Sequence, residues 1–275
     1  MAEVFMRDGA GLHVTVSGPV DAPALVLGPK LGTSLELWDD LVAQVPDGLR
    51  VIRYDLRGHG LSDVTAGPYS MGQLIGDAET ICEAYSIADA VFLGAAEGGL
   101  IALGLAVKRP DLVRALILSG AAPKIDHPQA WHAQAETVET RGMAQVTDTS
   151  LNRMFGKDFY GSLAMAKWVN MMMTTEPEGY AAACRAFAGA DMITPMSGLR
   201  IPTLGIAGTE DQKVPPDMVK EGVDLVPGSQ FQLMKGIGHL PALEAPEEFA
   251  QIILQFLGDI GHFPDPDQAA AAQSG

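Results

Sequence analysis

Short apolar runs alternate with longer, helix-like segments along most of this chain. The runs are rich in β-branched and aliphatic side chains, which is typical of strands buried inside a sheet. Ser70 is well placed to cap the N-terminus of the segment that follows it. Alternating strands and helices predict an α/β fold, a mostly parallel twisted sheet flanked by helices. The predicted strands are His13–Val16, Ala24–Leu27, Val51–Tyr54, Ala90–Leu93, Val113–Ser119, Pro202–Ala207 and Gln230–Leu233, and the predicted helices are Leu35–Ala43, Ser70–Tyr85, Gly98–Arg109, Pro216–Leu225 and Pro246–Leu257.

The stretch from about Pro123 to Pro195 breaks this alternation. It has no strand-like run, and it contains helix-forming segments rich in Ala and Met at Trp131–Thr140 and Gly161–Met173. A helical insertion between two strands of such a sheet lies over the C-terminal edge of the strands, where α/β sheets bind ligands. The expected organisation is an α/β core (residues 1–122 and 196–260), a helical cap (residues 123–195) and a flexible tail (residues 261–275).

Composition and charge narrow the classes of function. The chain has 275 residues, of which 47% are hydrophobic, so it can form one large domain with a buried core. Its formal net charge of −16 repels nucleic acids and anionic membranes, so neither is expected as a partner. No basic segment followed by an apolar run opens the sequence, and the apolar stretch Gly98 to Val107 is too short to span a bilayer. We therefore expect a cytoplasmic protein that acts on a small molecule, with the oligomeric state left open.

The pattern of cysteines, histidines and glycines predicts no cofactor and no metal. Cys82 and Cys184 are the only cysteines, and neither belongs to a CxxC motif or a Cys/His cluster. The first strand is not followed by G-x-G-x-x-G, and the sequence has no P-loop. The six histidines show no metal-ligand spacing.

A sharp turn follows the predicted strand Ala90–Leu93. The sequence Gly94-Ala95-Ala96-Glu97-Gly98-Gly99 leads from this strand into a helix, which is the context of the G-x-S-x-G nucleophile elbow. Ala96 stands where that motif has its serine. Larger side chains at Gly94 and Gly98 would clash in such a turn, and its central residue is held in a strained conformation that normally presents a hydroxyl group.

An acid and a base follow in the chain order of an α/β-hydrolase triad. Asp211 comes just after the strand Pro202–Ala207, and His239 lies in the loop after Gln230–Leu233. We expect His239 to be the catalytic imidazole and Asp211 to orient it. Asp126 is a weaker candidate for the acid, and Glu244 is interpreted as a residue at the start of a helix or a buried hydrogen-bonding group.

Two further loops complete the predicted site. The loop after Ala24–Leu27 supplies the second amide of an oxyanion hole, for which Leu31 is the candidate, and the amide of Glu97 is the first. The segment Asp55–Ser62 resembles the D-x-R-G-x-G-x-S turn of α/β-hydrolases, and we interpret its His59 as a loop-packing residue.

Taken together, these segments resemble 3-oxoadipate enol-lactone hydrolases of the α/β-hydrolase superfamily, from about Leu12 to Leu257. The resemblance implies hydrolysis of a small lactone or carboxylic ester through an acyl-enzyme, without a cofactor. The segments that carry it are Leu31-Gly32-Thr33 with Trp38, Leu118–Ile125 followed by Trp131, Glu178–Cys184, and Ala190-Asp191.

Several positions depart from that family. Gln134 and Glu139 stand in a cap helix where such lactonases are expected to have arginines, and an anionic lactone needs a cationic partner. Lys30, Trp131 and Gln134 are the candidate substrate-binding residues. Glu97 disfavours an anionic substrate if its side chain faces the pocket, so the expected substrates include neutral lactones and esters.

Ala96 leaves three interpretations open. The chain is an inactivated serine hydrolase that binds substrate without turnover, or it has lost hydrolysis and binds a small ligand, or the pair His239–Asp211 works without a covalent nucleophile. In the third interpretation, the pair activates water or removes a proton from the substrate. The intact acid, base and oxyanion loop favour the first interpretation.

Overall fold

An eight-stranded sheet forms the centre of the protein in this computed structural model, which describes residues 2–263. Its strands are β1 (Ala2–Arg7), β2 (Ala10–Ser17), β3 (Ala24–Gly28), β4 (Arg50–Tyr54), β5 (Ala90–Ala95), β6 (Val113–Ser119), β7 (Thr203–Gly208) and β8 (Gln230–Met234). Their order in the sheet is β1-β2-β4-β3-β5-β6-β7-β8. Strand β2 is antiparallel to β1 and β4, and the pairs from β4 through β8 are parallel.

The central strands are buried along their whole length. Strands β3, β5 and β7 have the sequences ALVLG, AVFLGA and TLGIAG, without a charged residue. Such runs fit a parallel sheet that is covered by helices on both faces. Strand β1, at the edge, instead alternates exposed and half-buried residues. The loops that follow β3, β5, β6 and β7 therefore emerge from the most rigidly packed part of the sheet.

Helices surround the sheet. One of them, α2, begins with a capping box, in which the Ser70 hydroxyl accepts the amide of Gln73 and the Gln73 side chain accepts the amide of Ser70. Within residues 2–263, no helix is both long and apolar enough to cross a membrane. The α-helices are α1 (Asp39–Val42), α2 (Met71–Ala84), α3 (Glu97–Lys108), α4 (Pro128–Met154), α5 (Leu163–Thr174), α6 (Pro177–Ala188), α7 (Ile193–Ser197), α8 (Pro216–Val223), α9 (Pro241–Glu244) and α10 (Pro246–Asp259), with short 3-10 helices at Leu35–Trp38 and Lys157–Phe159.

The connection between β6 and β7 contains helices α4 to α7 and no strand. We call this region, residues 120–202, the helical insertion. Its longest helix, α4, is interrupted at Gly142, whose φ of 77° and ψ of 177° are not helical. The first part of α4 packs against α6, with 5.6 Å between the ring centroids of Trp131 and Phe187.

All predicted strands and helices are present, and the structure adds others. Strand β1 and helices α6, α7 and α9 were not predicted, and α4 extends well beyond Trp131–Thr140. The α/β fold with a mostly parallel sheet is confirmed. The chain directly after α10 packs against the core. His262 is buried there, and its Nε2 donates to the carbonyl oxygen of Ala24 at 3.0 Å. The predicted tail therefore does not begin at Gly261, and residues 264–275 lie outside the described residues.

Candidate active site

The turn between β5 and α3 has the geometry of a strained elbow. Ala96 is buried and adopts a φ of 48° and a ψ of −113°, a conformation that is costly for a residue with a Cβ atom. A Cβ atom at Gly94 would lie 2.4 Å from the amide nitrogen of Gly99, and one at Gly98 would lie 2.4 Å from the carbonyl oxygen of Gly28. The two glycines are therefore required by the close approach of backbone on both sides of the turn.

His239 and Asp211 form a fully buried pair. The Nδ1 atom of His239 is 2.7 Å from Oδ2 of Asp211, and neither side chain is exposed to solvent. The other carboxylate oxygen, Oδ1, accepts the backbone amides of Lys213 at 2.8 Å and Val214 at 2.9 Å. Because Asp211 is held in this way, His239 donates from Nδ1 and keeps a lone pair on Nε2. That Nε2 atom is buried and has no hydrogen-bond partner among residues 2–263.

The imidazole of His239 lies over the end of β6, next to the elbow. A Cβ atom at Gly120 would be 3.0 Å from Nδ1 of His239. The preceding residue, Ser119, accepts the backbone amide of Ala96 at 2.9 Å. The structure thus brings the elbow, the imidazole and the carboxylate to one end of three neighbouring parallel strands, β5, β6 and β7.

In the predicted oxyanion loop, the backbone amide of Leu31 already donates a hydrogen bond to a side chain of the protein. The backbone amide of Leu31 donates to Oε2 of Glu97 at 3.2 Å, and the Glu97 side chain is buried. The carbonyl oxygen of Lys30 accepts both the amide of Thr33 at 3.1 Å and its hydroxyl at 2.7 Å, which fixes the loop. Sequence reasoning placed Leu31 and Glu97 in the site as amide donors, and it did not foresee that the carboxylate of one binds the amide of the other.

This contact matters for acyl-transfer chemistry. One oxyanion donor contributes about 3–4 kcal/mol in comparable enzymes. With the Glu97 carboxylate on the Leu31 amide, this donor is not free to stabilise such an oxyanion.

Lys30 is buried beside this loop. Its Nζ donates to the carbonyl oxygen of Leu31 at 2.9 Å. Burial lowers the pKa of Lys30, and the negative charge of Glu97 acts in the opposite direction. Lys30 therefore belongs to the interior of the site and not to the solvated surface, and its ammonium is directed to the oxyanion loop.

The two predicted substrate-binding residues of the helical insertion have protein partners. The indole N–H of Trp131 donates to the carbonyl oxygen of Ile125 at 2.7 Å, and Nζ of Lys213 is 5.0 Å from the centroid of its ring. The side-chain amide of Gln134 donates to the hydroxyl of Tyr180. Glu139, the other position where an arginine was expected, pairs with Arg185.

The remaining titratable residues have structural contacts. Asp126 pairs with Lys213, so it does not orient a histidine. His59 donates from Nδ1 to the carbonyl oxygen of Arg57 at 3.2 Å, and burial lowers its pKa to about 4. These contacts fit the sequence interpretation of His59 as a packing residue. Among residues 2–263, no group of three or more His, Cys, Asp or Glu side chains is arranged to hold a metal ion.

Glu244 links the histidine loop to the helical insertion. Its carboxylate accepts the amides of Gly156 at 2.8 Å, Gly238 at 2.9 Å and Leu240 at 3.2 Å. The amide of His239 itself donates to the carbonyl oxygen of Met154 at the end of α4. The sequence analysis interpreted Glu244 as a residue at the start of a helix or a buried hydrogen-bonding group. The structure shows a half-buried carboxylate that accepts three amides, and its partner in the helical insertion carries no local sequence signal.

Comparison with known proteins places this arrangement in a family. The family model described as alpha/beta hydrolase fold matches residues 23–155. The chain is 34% identical to 3-oxoadipate enol-lactonase 1 of Acinetobacter baylyi, over 92% of this chain and 96% of the relative, and 32% identical to 3-oxoadipate enol-lactonase 2 of that organism, over 90% and 93%. The crystal structure of the enol-lactonase from Burkholderia xenovorans LB400 superposes with a TM-score of 0.88 at 32% identity, covering 92% of this chain and 99% of that one. The chain belongs to the α/β-hydrolase family, and its resemblance to 3-oxoadipate enol-lactonases is confirmed over nearly its whole described length.

Proposed function

We propose that this protein binds a small lactone or carboxylic ester beneath the helical insertion and acts on it through His239 and Asp211, without an acyl-enzyme. Its relatives in the enol-lactonase group support a lactone or ester as the substrate class. In this proposal residues 123–195 serve as the cap over the site. His239 takes a proton from water or from the ligand, and Asp211 stabilises the imidazolium that forms.

The observation that carries this proposal is the buried Nε2 atom of His239. Asp211 fixes the ring through Nδ1, and the opposite nitrogen is left without a protein partner among residues 2–263. A buried polar atom without a partner is costly. A fixed imidazole with one unused lone pair is the arrangement that general-base catalysis requires.

Ala96 determines which chemistry is excluded. Its methyl group has no atom that can attack a carbonyl carbon, so no covalent intermediate forms at this position. In a well-studied serine protease, loss of the nucleophile costs on the order of 10⁶ in kcat. In this proposal the dyad therefore acts directly on water or on the ligand.

A second candidate is that the chain is an inactive serine hydrolase that only binds its substrate. The strained φ of 48° at Ala96 favours it, because this conformation normally serves to present a hydroxyl. In this alternative a serine at position 96 would attack the carbonyl carbon, and His239 would accept its proton.

The test compares the native protein with Ala96→Ser and His239→Gln on small lactones, enol-lactones and short-chain esters, with products identified by NMR. Turnover by the native protein that is lost in His239→Gln supports the nucleophile-free enzyme. Turnover confined to Ala96→Ser supports the second candidate. Binding without turnover in all three proteins contradicts the nucleophile-free enzyme. If Ala96→Ser/Glu97→Leu, in which the Leu31 amide is free, also binds without turnover, the second candidate fails as well and the chain is a ligand-binding protein.

A further inference from the structure

Glu97 is a buried carboxylate with few protein partners. Its side chain is buried, and the Leu31 amide is its single hydrogen-bond donor among residues 2–263. An ionised carboxylate has two oxygens and about four lone-pair sites for hydrogen bonds. Buried polar groups are rarely left with so little of their capacity used. Acceptor positions inside the protein are therefore left for a group that this chain does not supply.

A second acceptor lies beside the same loop. Tyr180 packs against Gly32, the neighbour of Leu31, because a Cβ atom at Gly32 would lie 3.0 Å from its Cε2 atom. The ring centroid of His59 is 6.1 Å from that of Tyr180. Because a carbonyl oxygen can only accept, the contact with Arg57 places the proton of His59 on Nδ1. Its Nε2 is then an acceptor, and it has no partner among the described residues.

The nearby cations do not fill these acceptors. The ammonium of Lys30 donates to the carbonyl oxygen of Leu31, and Lys213 pairs with Asp126. A neutral hydroxyl of a ligand can donate to the free acceptor positions of Glu97 without bringing a further charge into this buried site.

We propose that Glu97 is a specificity-determining residue whose carboxylate binds a hydroxyl group of a neutral hydroxylated lactone or ester. The hydroxyl donates to Glu97 beside the Leu31 amide. In a serine hydrolase that amide would instead bind the carbonyl oxygen of the acyl group. This inference rests on the proposed function, since it assigns the substrate class of the same site. Binding of this kind makes and breaks no covalent bond.

The test is a matched binding series. Dissociation constants of γ-butyrolactone, α-hydroxy-γ-butyrolactone and α-amino-γ-butyrolactone are measured for the native protein, Glu97→Gln and Glu97→Leu. The native protein is expected to prefer the hydroxylated lactone over γ-butyrolactone by about tenfold. This preference is expected to decrease in Glu97→Gln, which keeps an acceptor oxygen but no charge, and to disappear in Glu97→Leu.

Controls separate specificity from folding. Glu178→Gln removes an exposed carboxylate of the helical insertion and is expected to leave the preference unchanged. Circular dichroism and thermal unfolding establish that each variant is folded. If Glu97→Leu fails to fold, Glu97→Gln carries the test, because its side chain has nearly the same shape.

A second readout uses hydrolysis. With Glu97 present, Ala96→Ser is expected to hydrolyse p-nitrophenyl acetate at close to the native rate, because the Leu31 amide is occupied. The double variant Ala96→Ser/Glu97→Leu is expected to exceed Ala96→Ser by at least about tenfold. Equal rates in the single and double variants would contradict the blocking role of Glu97.

The outcomes distinguish this inference from the proposed function. Equal affinity of the native protein for the first two lactones, or an unchanged preference in Glu97→Leu, overturns the role of Glu97 and leaves the lactone site intact. Tightest binding of the amino lactone overturns the neutral hydroxyl as the donor. If no lactone binds to any variant, the proposed substrate class and the inference both fail.

Discussion

Two histidine–aspartate pairs in this protein have the same length and different surroundings. In both the His239–Asp211 pair and the His13–Asp55 pair, Nδ1 of the histidine is 2.7 Å from a carboxylate oxygen. The His239 ring is completely buried and its Nε2 has no protein partner among residues 2–263. The His13 side chain is 12% exposed and lines a surface groove beside Asn170 and Thr174 of α5.

The two carboxylates also differ in what they connect. Asp211 accepts amides from its own loop, at Lys213 and Val214. Asp55 instead accepts the amides of Leu35 at 2.6 Å and Leu61 at 2.9 Å, and with His13 it joins three separate parts of the chain. A short His–Asp distance therefore does not identify a catalytic pair. The role of such a pair depends on the partners of the second imidazole nitrogen. It also depends on whether the carboxylate's other hydrogen bonds stay within one loop or join distant segments.

Removing each imidazole in turn tests the difference between the two pairs most directly. His239→Gln is expected to reduce turnover of the lactone or ester that the native protein hydrolyses best by about 10²–10⁴-fold, because the general base is lost. His13→Gln is expected to change turnover by less than about threefold, within the range that an ordinary surface change causes. Steady-state kinetics of the two variants, with circular dichroism as a folding check, makes the measurement. Similar losses in both would show that the second pair also takes part in the reaction.

Another buried histidine, His59, has no carboxylate hydrogen-bond partner among residues 2–263 and serves as a reference. Burial lowers its pKa from 6.5 to about 4, so between these pH values the unfolded chain binds a proton that the folded protein does not. Stability is therefore fully present above pH 6.5 and falls as the pH decreases, by up to about 3 kcal/mol near pH 4. Urea unfolding across this range should show a smaller decrease in His59→Gln than in the native protein. An equal decrease in both would rule out the assigned titration.

The carboxylates provide the next comparison. Asp55→Asn is expected to lower the free energy of unfolding by about 2 kcal/mol more than Asp211→Asn, because its hydrogen bonds join distant segments. Asp211→Asn is expected to reduce turnover more than Asp55→Asn, because the wrong tautomer of His239 would then be favoured. Urea unfolding tests the expected order of stabilities, and steady-state kinetics on the same samples tests the expected order of turnover. The opposite order of stabilities would contradict the structural role of Asp55.

The smallest expected effect concerns Glu244. Glu244→Gln keeps one acceptor oxygen but loses the charge that holds three amides, so kcat is expected to decrease by about tenfold with little change in KM. Glu247→Gln, an exposed neighbour in α10, serves as the matched control. A change in KM alone would show that Glu244 affects binding and does not position His239.

The sequence predicted the features that depend on local pattern. Strand and helix periodicity predicted the central sheet, and the chain order of Ala96, Asp211 and His239 predicted that they meet at one edge. Strand β1 was missed because its residues alternate between exposed and half-buried positions at the sheet edge, so they form no buried apolar run. The contact between Leu31 and Glu97 was missed for a different reason. It joins residues 66 positions apart, and neither residue has a neighbour that signals the other.

The attachment of Met154 to the amide of His239 has a consequence for the kinetics of association. Ala96, Asp211 and His239 are each at most 3% exposed, so a ligand reaches them only after the protein opens. One end of the helical insertion is bonded to the histidine loop, and opening there would displace the imidazole. Opening is therefore expected on a side away from Met154, and the observed association rate should level off at high ligand concentration, where the opening step becomes limiting.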